Sequence, residues 1–395
     1  TITGMYNNYF TIFNGVTVVL AIFITSLTGG IGNHVALKSK AENYEELKKM
    51  GYQPLKITET GIAVYLDFHK EKTLAFRSDI DALEIEEQTG GSFKSTHQGK
   101  MHACGHDGHA TIGLGVAEVL MQIKDQLHGT VKLIFQPAEE GVRGAKAIAD
   151  AGHLDDVQYL IGSHVTDNKE FTNGEVVVPG CHGCLATTKY DVLFKGQAAH
   201  AGGSPEKGKN VLLAASTAIL NLYAIPRHSG GASRINVGTI HGGSGRNVIA
   251  DEALMEIEVR GETTEINEYM SEYARNVLNG AAAMHGVSCD IKVMGAANSM
   301  TSSPEMMTRI RRVTEEDLHM EVSKEDSLHY SGGSEDVSYM VNRVQEHGGE
   351  ASFMRLLTPE AGPGHSRTFD IGEEALPTGV KIFCGTVYDI MGTER

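Results

Sequence analysis

Three short apolar runs break off into polar residues capable of chemistry, and this recurrence constrains the fold more than any other feature. Residues 73–76 lead into Arg77-Ser-Asp79-Ile-Asp81, residues 131–135 into Gln136-Pro-Ala-Glu139-Glu140, and residues 159–161 into Gly162-Ser-His164. Each run reads as a buried strand with short helical stretches between, the pattern of an α/β sheet. In such sheets reactive groups collect at the carboxyl ends of strands, where these Asp, Glu and His residues fall.

A chain of 395 residues exceeds one ordinary core, so two domains are expected. Its 41% apolar and 21% charged residues suit a soluble globular enzyme. The net charge of −16 argues against nucleic acid and against an anionic membrane surface, both of which call for clustered Lys and Arg. Five scattered cysteines, an odd count without disulfide-like spacing, favour a reducing, cytoplasmic setting. Cys181-His-Gly-Cys184 could be half of a zinc knuckle or a redox pair, but with no second Cys-x-x-Cys the preferred reading is two small residues in a strand or turn. Residues 10–31 carry no charge and are long enough to cross a membrane. Polar dilution by Asn14, Gly15, Thr17, Thr25 and Ser26, and the lack of a basic flank before Lys38, favour buried structure instead.

Residues 110–123 predict a helix, with Ile112, Val116, Val119, Leu120 and Ile123 on one stripe. Its start would hold the Met101-His-Ala-Cys-Gly-His-Asp-Gly-His109 run at a helix N-terminus. From about 185 to 297 the character changes. Residues 189–194 and 255–259 alternate as half-buried strands, with Met255, Ile257 and Val259 facing one way and Glu256, Glu258 and Arg260 the other. Ile266, Met270, Tyr273, Val277, Ala281 and Met284 predict an apolar helix face stopped by Gly286. The expected architecture is an α/β catalytic domain, 1–184 and 298–395, with a mixed central sheet. A smaller α+β domain, 185–297, interrupts it.

The chemistry-bearing residues suit transition metals. Cys104 and His106, one residue apart, can reach one or two ions only from an irregular loop, which Gly105 permits; a thiolate can bridge two cations. The competing account is a buried Cys beside surface histidines in a chain with 18 of them. Adjacent acids such as Glu139 and Glu140 usually mark a solvated turn, but these sit at a strand end. One can bind metal while its neighbour takes a proton from water. His164 and His365 complete the set; either alone would more often be structural.

Arg77-Ser-Asp-Ile-Asp-Ala-Leu83, Met101-His-Ala-Cys-Gly-His-Asp-Gly-His109, Phe135-Gln-Pro-Ala-Glu-Glu-Gly141 and Gly364-His365-Ser together resemble the amidohydrolase branch of the aminoacylase/carboxypeptidase G metallopeptidase family. Ala199-His-Ala-Gly202, Ser233-Arg-Ile-Asn-Val-Gly238, Gly243-Ser-Gly-Arg-Asn-Val248, Gly295-Ala-Ala297 and Gly333-Ser-Glu-Asp336 extend the likeness. It runs in order from about Gly61 to Phe369. Two features depart from it: the uncharged run stands where the branch carries a His-rich first helix, and Arg367 replaces a usual Pro.

The resemblance implies a di-metal peptidase fold whose inserted domain serves as lid and dimerisation surface. It implies metal ligands Cys104, His106, Glu140, His164 and His365, with Glu139 as general base and Asp81 as the carboxylate that orients a ligand. Asp79 stands where sister branches carry a metal-binding His. His200 corresponds to a residue that reaches across a dimer to the scissile carbonyl oxygen. Asn247 and Arg260 match positions holding the substrate's carboxylate end; the bland account of Arg260 is a strand charge paired with Glu256 or Glu258. The implied reaction is hydrolysis of N-acyl or N-aroyl amino acids, p-aminobenzoyl-glutamate leading, with two divalent ions in each protomer. Manganese is favoured over zinc on the resemblance, although thiolate softness favours zinc. The implied assembly is a homodimer, or a complex with a sister subunit. The alternatives are a general aminoacylase, a dipeptide carboxypeptidase and a catalytically silent partner subunit.

Overall fold

The computed structural model describes residues 40–58, 61–91, 94–167, 174–329, 333–359 and 362–392. The uncharged stretch 10–31 lies outside these, and with it the expectation of buried structure there. No helix among the described residues is long and apolar enough to cross a membrane.

The first half contains α1 (Lys40–Lys49), β1 (Leu55–Lys56), β2 (Ile62–Asp79), α2 (His106–Ile123), β3 (Gly129–Gln136), α3 (Gly144–Asp150) and β4 (Tyr159–Asp167). Next come β5 (Val177–Val178), β6 (Gly180–His182), β7 (Ala186–Lys195), α4 (Val211–Tyr223), β8 (Ser233–Gly242), β9 (Glu252–Gly261), α5 (Thr264–Met284) and β10 (Ser288–Ala297). The chain closes through α6 (Pro304–Arg312), β11 (Ser327–His329), α7 (Ser338–Glu346), β12 (Glu350–Thr358) and α8 (Ala375–Met391).

β3 lies between two arms of β2. Ile62 opposes Phe135 and Asp67 opposes Thr130, a descending register, whereas Thr73 opposes Thr130 and Asp79 opposes Gln136, a parallel one. β4 and β12 continue the parallel run beyond the second arm, and β1 and β5 add antiparallel edges. The expected mixed sheet is therefore present. Its central strands are apolar on consecutive residues because both faces are covered. Leu133 and Phe135 pack with Ile112 and Val116 of α2 and Phe383 of α8, while Ile134 packs with Ile148 of α3 and Val341 of α7. The Phe76 and Phe383 rings meet edge to face at 4.0 Å. Each such fully buried side chain contributes about 1.5–3 kcal/mol.

The second sheet, ordered β10–β7–β9–β8, is antiparallel throughout. Its expected alternation holds: Met255, Ile257 and Val259 are buried with Tyr190, Val192 and Phe194 under α4 and α5, while Glu256, Glu258 and Arg260 line the uncovered face. The α5 stripe needs correction. Ile266, Met270 and Ala281 are buried as expected, but Tyr273 and Met284 are exposed, and Ala274, Leu278 and Ala282 take their places. Small residues let the helix approach the sheet closely, so the buried face follows fit as well as apolarity. Gly286, at φ 62°, ends the helix region as expected.

Cys181 and Cys184 are buried, in β6 and in a bridge to Met300, with their sulfurs 3.9 Å apart. This is the strand-and-turn placement preferred from sequence.

Candidate metal centre

Three parts of the site lie at or near strand ends. Asp79 closes β2, Gln136 closes β3, and His164 lies near the end of β4. The Cys104 loop enters α2 four residues before the predicted helix start. Gly105 makes this turn possible: its φ is 87°, and a Cβ there would lie 2.4 Å from Val165 Cγ2. The His365 loop docks onto the same corner, its backbone N–H donating to Ala103 O at 2.8 Å.

These loops gather the five expected ligands. Cys104 and His106 group with His164, Cys104 and Glu140 with His365, and His106 with Glu139 and Glu140; within each group the ligand atoms lie within 4.8 Å of one another. Cys104 Sγ is 3.3 Å from His164 Nε2, and His365 Nε2 is 3.6 Å from Glu140 Oε2. Hydrogen bonding sets both inner tautomers. His106 Nδ1 donates to Asp81 O at 3.0 Å and His164 Nδ1 to Val165 O, so each ring turns an Nε2 lone pair inward. His106 Nε2 and Glu140 Oε1 are buried without a hydrogen-bond partner. Orphaned lone pairs of this kind cost stability unless something electrophilic meets them, so the donor set fits divalent cations.

Asp81 braces the cluster. Its two oxygens accept the backbone N–H groups of Glu139 and Glu140, each at 3.0 Å, while Oδ1 lies 3.4 Å from His106 Nδ1. One carboxylate thus aims both an imidazole and the paired acids. The loop it holds is strained: Ala138, at φ 59°, and Val142, at φ 48°, flank the two glutamates, and His365 itself has φ 58°. Left-handed conformations at such residues persist where surrounding structure enforces them.

Charge distribution separates the roles further. Burial, then the neighbouring Glu335 and Asp336, push the Glu139 carboxyl well above the usual range. Burial also raises Glu140 and pushes the Cys104 thiol up to about 11. A cation binding there would have to displace the thiol's proton, releasing it to solvent or a neighbouring base. Although burial opposes it, Asp79, Asp81 and Cys104 raise His106 well above the ordinary imidazole range, so a cation binding at Nε2 would displace a proton there to reach the lone pair. His164 is pushed well below it by burial, then by His109 and Arg355.

Sequence reasoning overlooked the buried frame behind these ligands. Although burial opposes it, Asp79 is held well below the carboxylate range by Arg77, His106 and His109. Arg77 Nη1 donates to Asp79 Oδ2 at 2.7 Å, Nε to Gln136 Oε1 at 2.7 Å and Nη2 to Asp336 Oδ1 at 3.3 Å. Asp336 in turn accepts from Gln136 Nε2 and from the Ala145 N–H. Because Val165 N–H donates to His109 Nε2, the His109 proton lies on Nδ1 and is given to Asp79. Asp79 is committed to this frame. Arg77 and Gly333-Ser-Glu-Asp336 were visible as motifs, but nothing local announces that they meet.

Of the remaining expected residues Arg260 lies on β9, while His200 and Asn247 sit in the loops that follow β7 and β8, where His200 bridges to Val248. His200 is exposed, and its Nδ1 accepts from the N–H groups of Gly202 and Gly203 at 3.2 and 3.0 Å, leaving the proton on Nε2. Asn247 is exposed nearby, its carbonyl accepting from Ala201 N–H. Among the described residues no hydrogen bond or ion pair joins either to the ligand cluster. Arg260 pairs with Glu258 at 3.0 Å, the strand contact foreseen as its bland account.

Residues 75–389 match the family described as peptidase family M20/M25/M40. The chain is 47% identical over 330 residues to the indole-3-acetyl-aspartic acid hydrolase of Enterobacter agglomerans, covering 82% of this chain and 75% of that one. It is 42% identical over 342 residues to one of the subunits of the p-aminobenzoyl-glutamate hydrolase of Escherichia coli, covering 85% and 78%. Among solved structures, an aminobenzoyl-glutamate utilization protein from Klebsiella pneumoniae superposes with a TM-score of 0.77 at 33% identity, covering 96% of this chain and 100% of that one. A dinuclear metal-binding peptidase of Bacillus subtilis gives 0.67 at 25%, covering 96% and 99%. With its strand-end cluster and this match across most of its length, the chain belongs to peptidase family M20/M25/M40.

Proposed function

We propose that this chain is a metal-dependent amidohydrolase that cleaves N-acyl or N-aroyl amino acids, with p-aminobenzoyl-glutamate the leading substrate. The observation that carries this reading is the convergence of Cys104, His106, Glu140, His164 and His365 around buried lone pairs, with Glu139 beside them. Two divalent ions suit five ligands that include a thiolate able to bridge. Manganese is the proposed metal and zinc the alternative. Bound there, such ions acidify water and polarise a carbonyl.

The protein's own residues do the rest. Glu139, buried and with its carboxyl held well above the usual range, accepts a proton from the attacking water and delivers it to the leaving nitrogen. Asp81 holds His106 and the Glu139-Glu140 loop in register through that transfer. Arg260 and Asn247 anchor the substrate's carboxylate. His200 of the partner subunit donates from Nε2 to the carbonyl oxygen as charge develops.

A homodimer supplies that histidine. The proposed 185–297 unit, inserted between 1–184 and 298–395, has its own sheet and core, and its outer surface supports pairing. Leu213 and Leu220, seven residues apart on α4, are 54% and 75% exposed, and Ile240 on the edge strand β8 is 41% exposed. Leu213→Glu with Leu220→Glu is expected to yield monomers by light scattering with turnover reduced at least about tenfold. A monomeric wild type, or a fully active monomeric variant, would remove the shared site.

The function itself is tested by chelation. Metal-stripped protein should cleave nothing, and manganese add-back should restore cleavage of aminobenzoyl-glutamate above hippurate-like and indole-acyl substrates. Preference for hippurate-like substrates would favour a general aminoacylase. Inactivity towards all of them, with metal bound, would favour a partner chain that is catalytically silent.

A further inference from the structure

We propose that Arg234, acting beside Arg260, reads a second carboxylate, so that the site selects N-acyl derivatives of acidic amino acids; this rests on the hydrolase reading above and extends it to specificity. Arg234 on β8 stands directly opposite Arg260 on β9, which stands opposite Thr187 on β7. Opposed residues of an antiparallel ladder project to one face with Cβ atoms about 4.5–5.5 Å apart, where like charges repel. In the next row but one Lys189, Glu258 and Asn236 oppose one another in the same way. Arg260 and Thr187 Oγ1 both donate to Glu258 Oε1, each at 3.0 Å. Arg234 is exposed and, among the described residues, its side chain makes no hydrogen bond or ion pair. The two rows hold three cations, Lys189, Arg234 and Arg260, against one carboxylate. The net charge of the whole chain is −16. A neutral residue at 234 would relieve the repulsion, whereas an anion between the guanidinium groups would turn it into binding.

This face borders the metal loop. Lys189 Nζ donates to Glu140 O at 3.5 Å, and Ala296 N–H donates to Val142 O at 3.0 Å. Gly295 packs so closely that a Cβ would sit 2.0 Å from Gly141 O. β8 is two strands beyond β7, roughly 10 Å at ordinary spacing. An acidic amino acid with its amide at Glu139 carries two carboxylates on the leaving side. Two forked guanidinium groups on adjacent strands match them, since each can bind a carboxylate through paired hydrogen bonds. Arg260 takes the α-carboxylate and Arg234 the side-chain carboxylate.

Arg234→Gln removes the charge from an exposed strand position and leaves the core intact. Manganese-loaded Glu139→Ala protein, with and without this change, is titrated calorimetrically with 4-aminobenzoyl-glutamate and with its neutral isostere 4-aminobenzoyl-glutamine. Turnover of both is measured on the otherwise wild-type chain. The expected result is binding of the glutamate conjugate weakened about 10- to 100-fold, the glutamine conjugate weakened less than about threefold, and Arg234→Lys intermediate. Equal losses on both ligands, no loss on either, or no binding of either by the Glu139→Ala protein overturns the proposal. Should the wild type turn over neither conjugate while the Arg234-dependent difference in binding persists, the hydrolase reading fails and this one stands.

Discussion

Glu139→Gln is expected to lower kcat by about two to four orders of magnitude while metal content and fold are retained. The substitution keeps the shape and the backbone contacts to Asp81 but replaces a basic carboxylate with an amide oxygen that cannot take up the proton. Glu139 is well placed for that task because burial and the nearby Glu335 and Asp336 raise its proton affinity far above that of an exposed carboxylate. Its neighbour Glu140 has a different position, with Oε2 3.6 Å from His365 Nε2 and Oε1 buried without a hydrogen-bond partner. Elemental analysis alongside steady-state kinetics separates the two roles. A rate loss that merely tracks lost metal would make Glu139 a ligand, and an unchanged rate would make the chain catalytically silent.

The largest effect on stability is expected from Arg77→Met, about 3–5 kcal/mol measured by urea unfolding. The side chains of Arg77, Asp79 and Asp336 have no exposed surface. The guanidinium spends three donor directions on Asp79, Gln136 and Asp336, joining the ends of β2 and β3 to the segment before α7. Methionine fills much of the volume but strands two buried carboxylates without their cation. Asp79→Asn in the same chain should recover part of the loss, because an amide is cheaper to bury than an unpaired charge. A change under about 1 kcal/mol would mean that water or rearrangement replaces Arg77 readily.

Particular residues illustrate how much could be read beforehand. The runs at 73–76, 131–135 and 159–161 are strands, because a doubly covered parallel sheet demands consecutive apolar residues and short connections. The stripe through Ile112, Val116, Val119 and Leu120 is a buried helix face, because apolar residues at period 3.6 line one side of a helix and pack against a core. The helix beginning at His106 was not legible from periodicity, because Gly105's left-handed turn, set by Val165 packing above it, decides where the helix starts. On α5 the buried face shifted to Ala274 and Leu278 for a similar reason: closeness to the sheet outweighs side-chain size.

The amino-acid order by itself determined the α/β class and the strand ends where chemistry collects, because these depend on local periodicity, and it offered the candidate metal-binding side chains through motifs that resemble a known family. Only the tertiary structure decided which ring nitrogens point inward, that Asp79 is tied to Arg77 and His109, and that Arg234 stands opposite Arg260 on the neighbouring strand. Those outcomes depend on distances between residues far apart in the chain, and neither spacing nor composition encodes such distances.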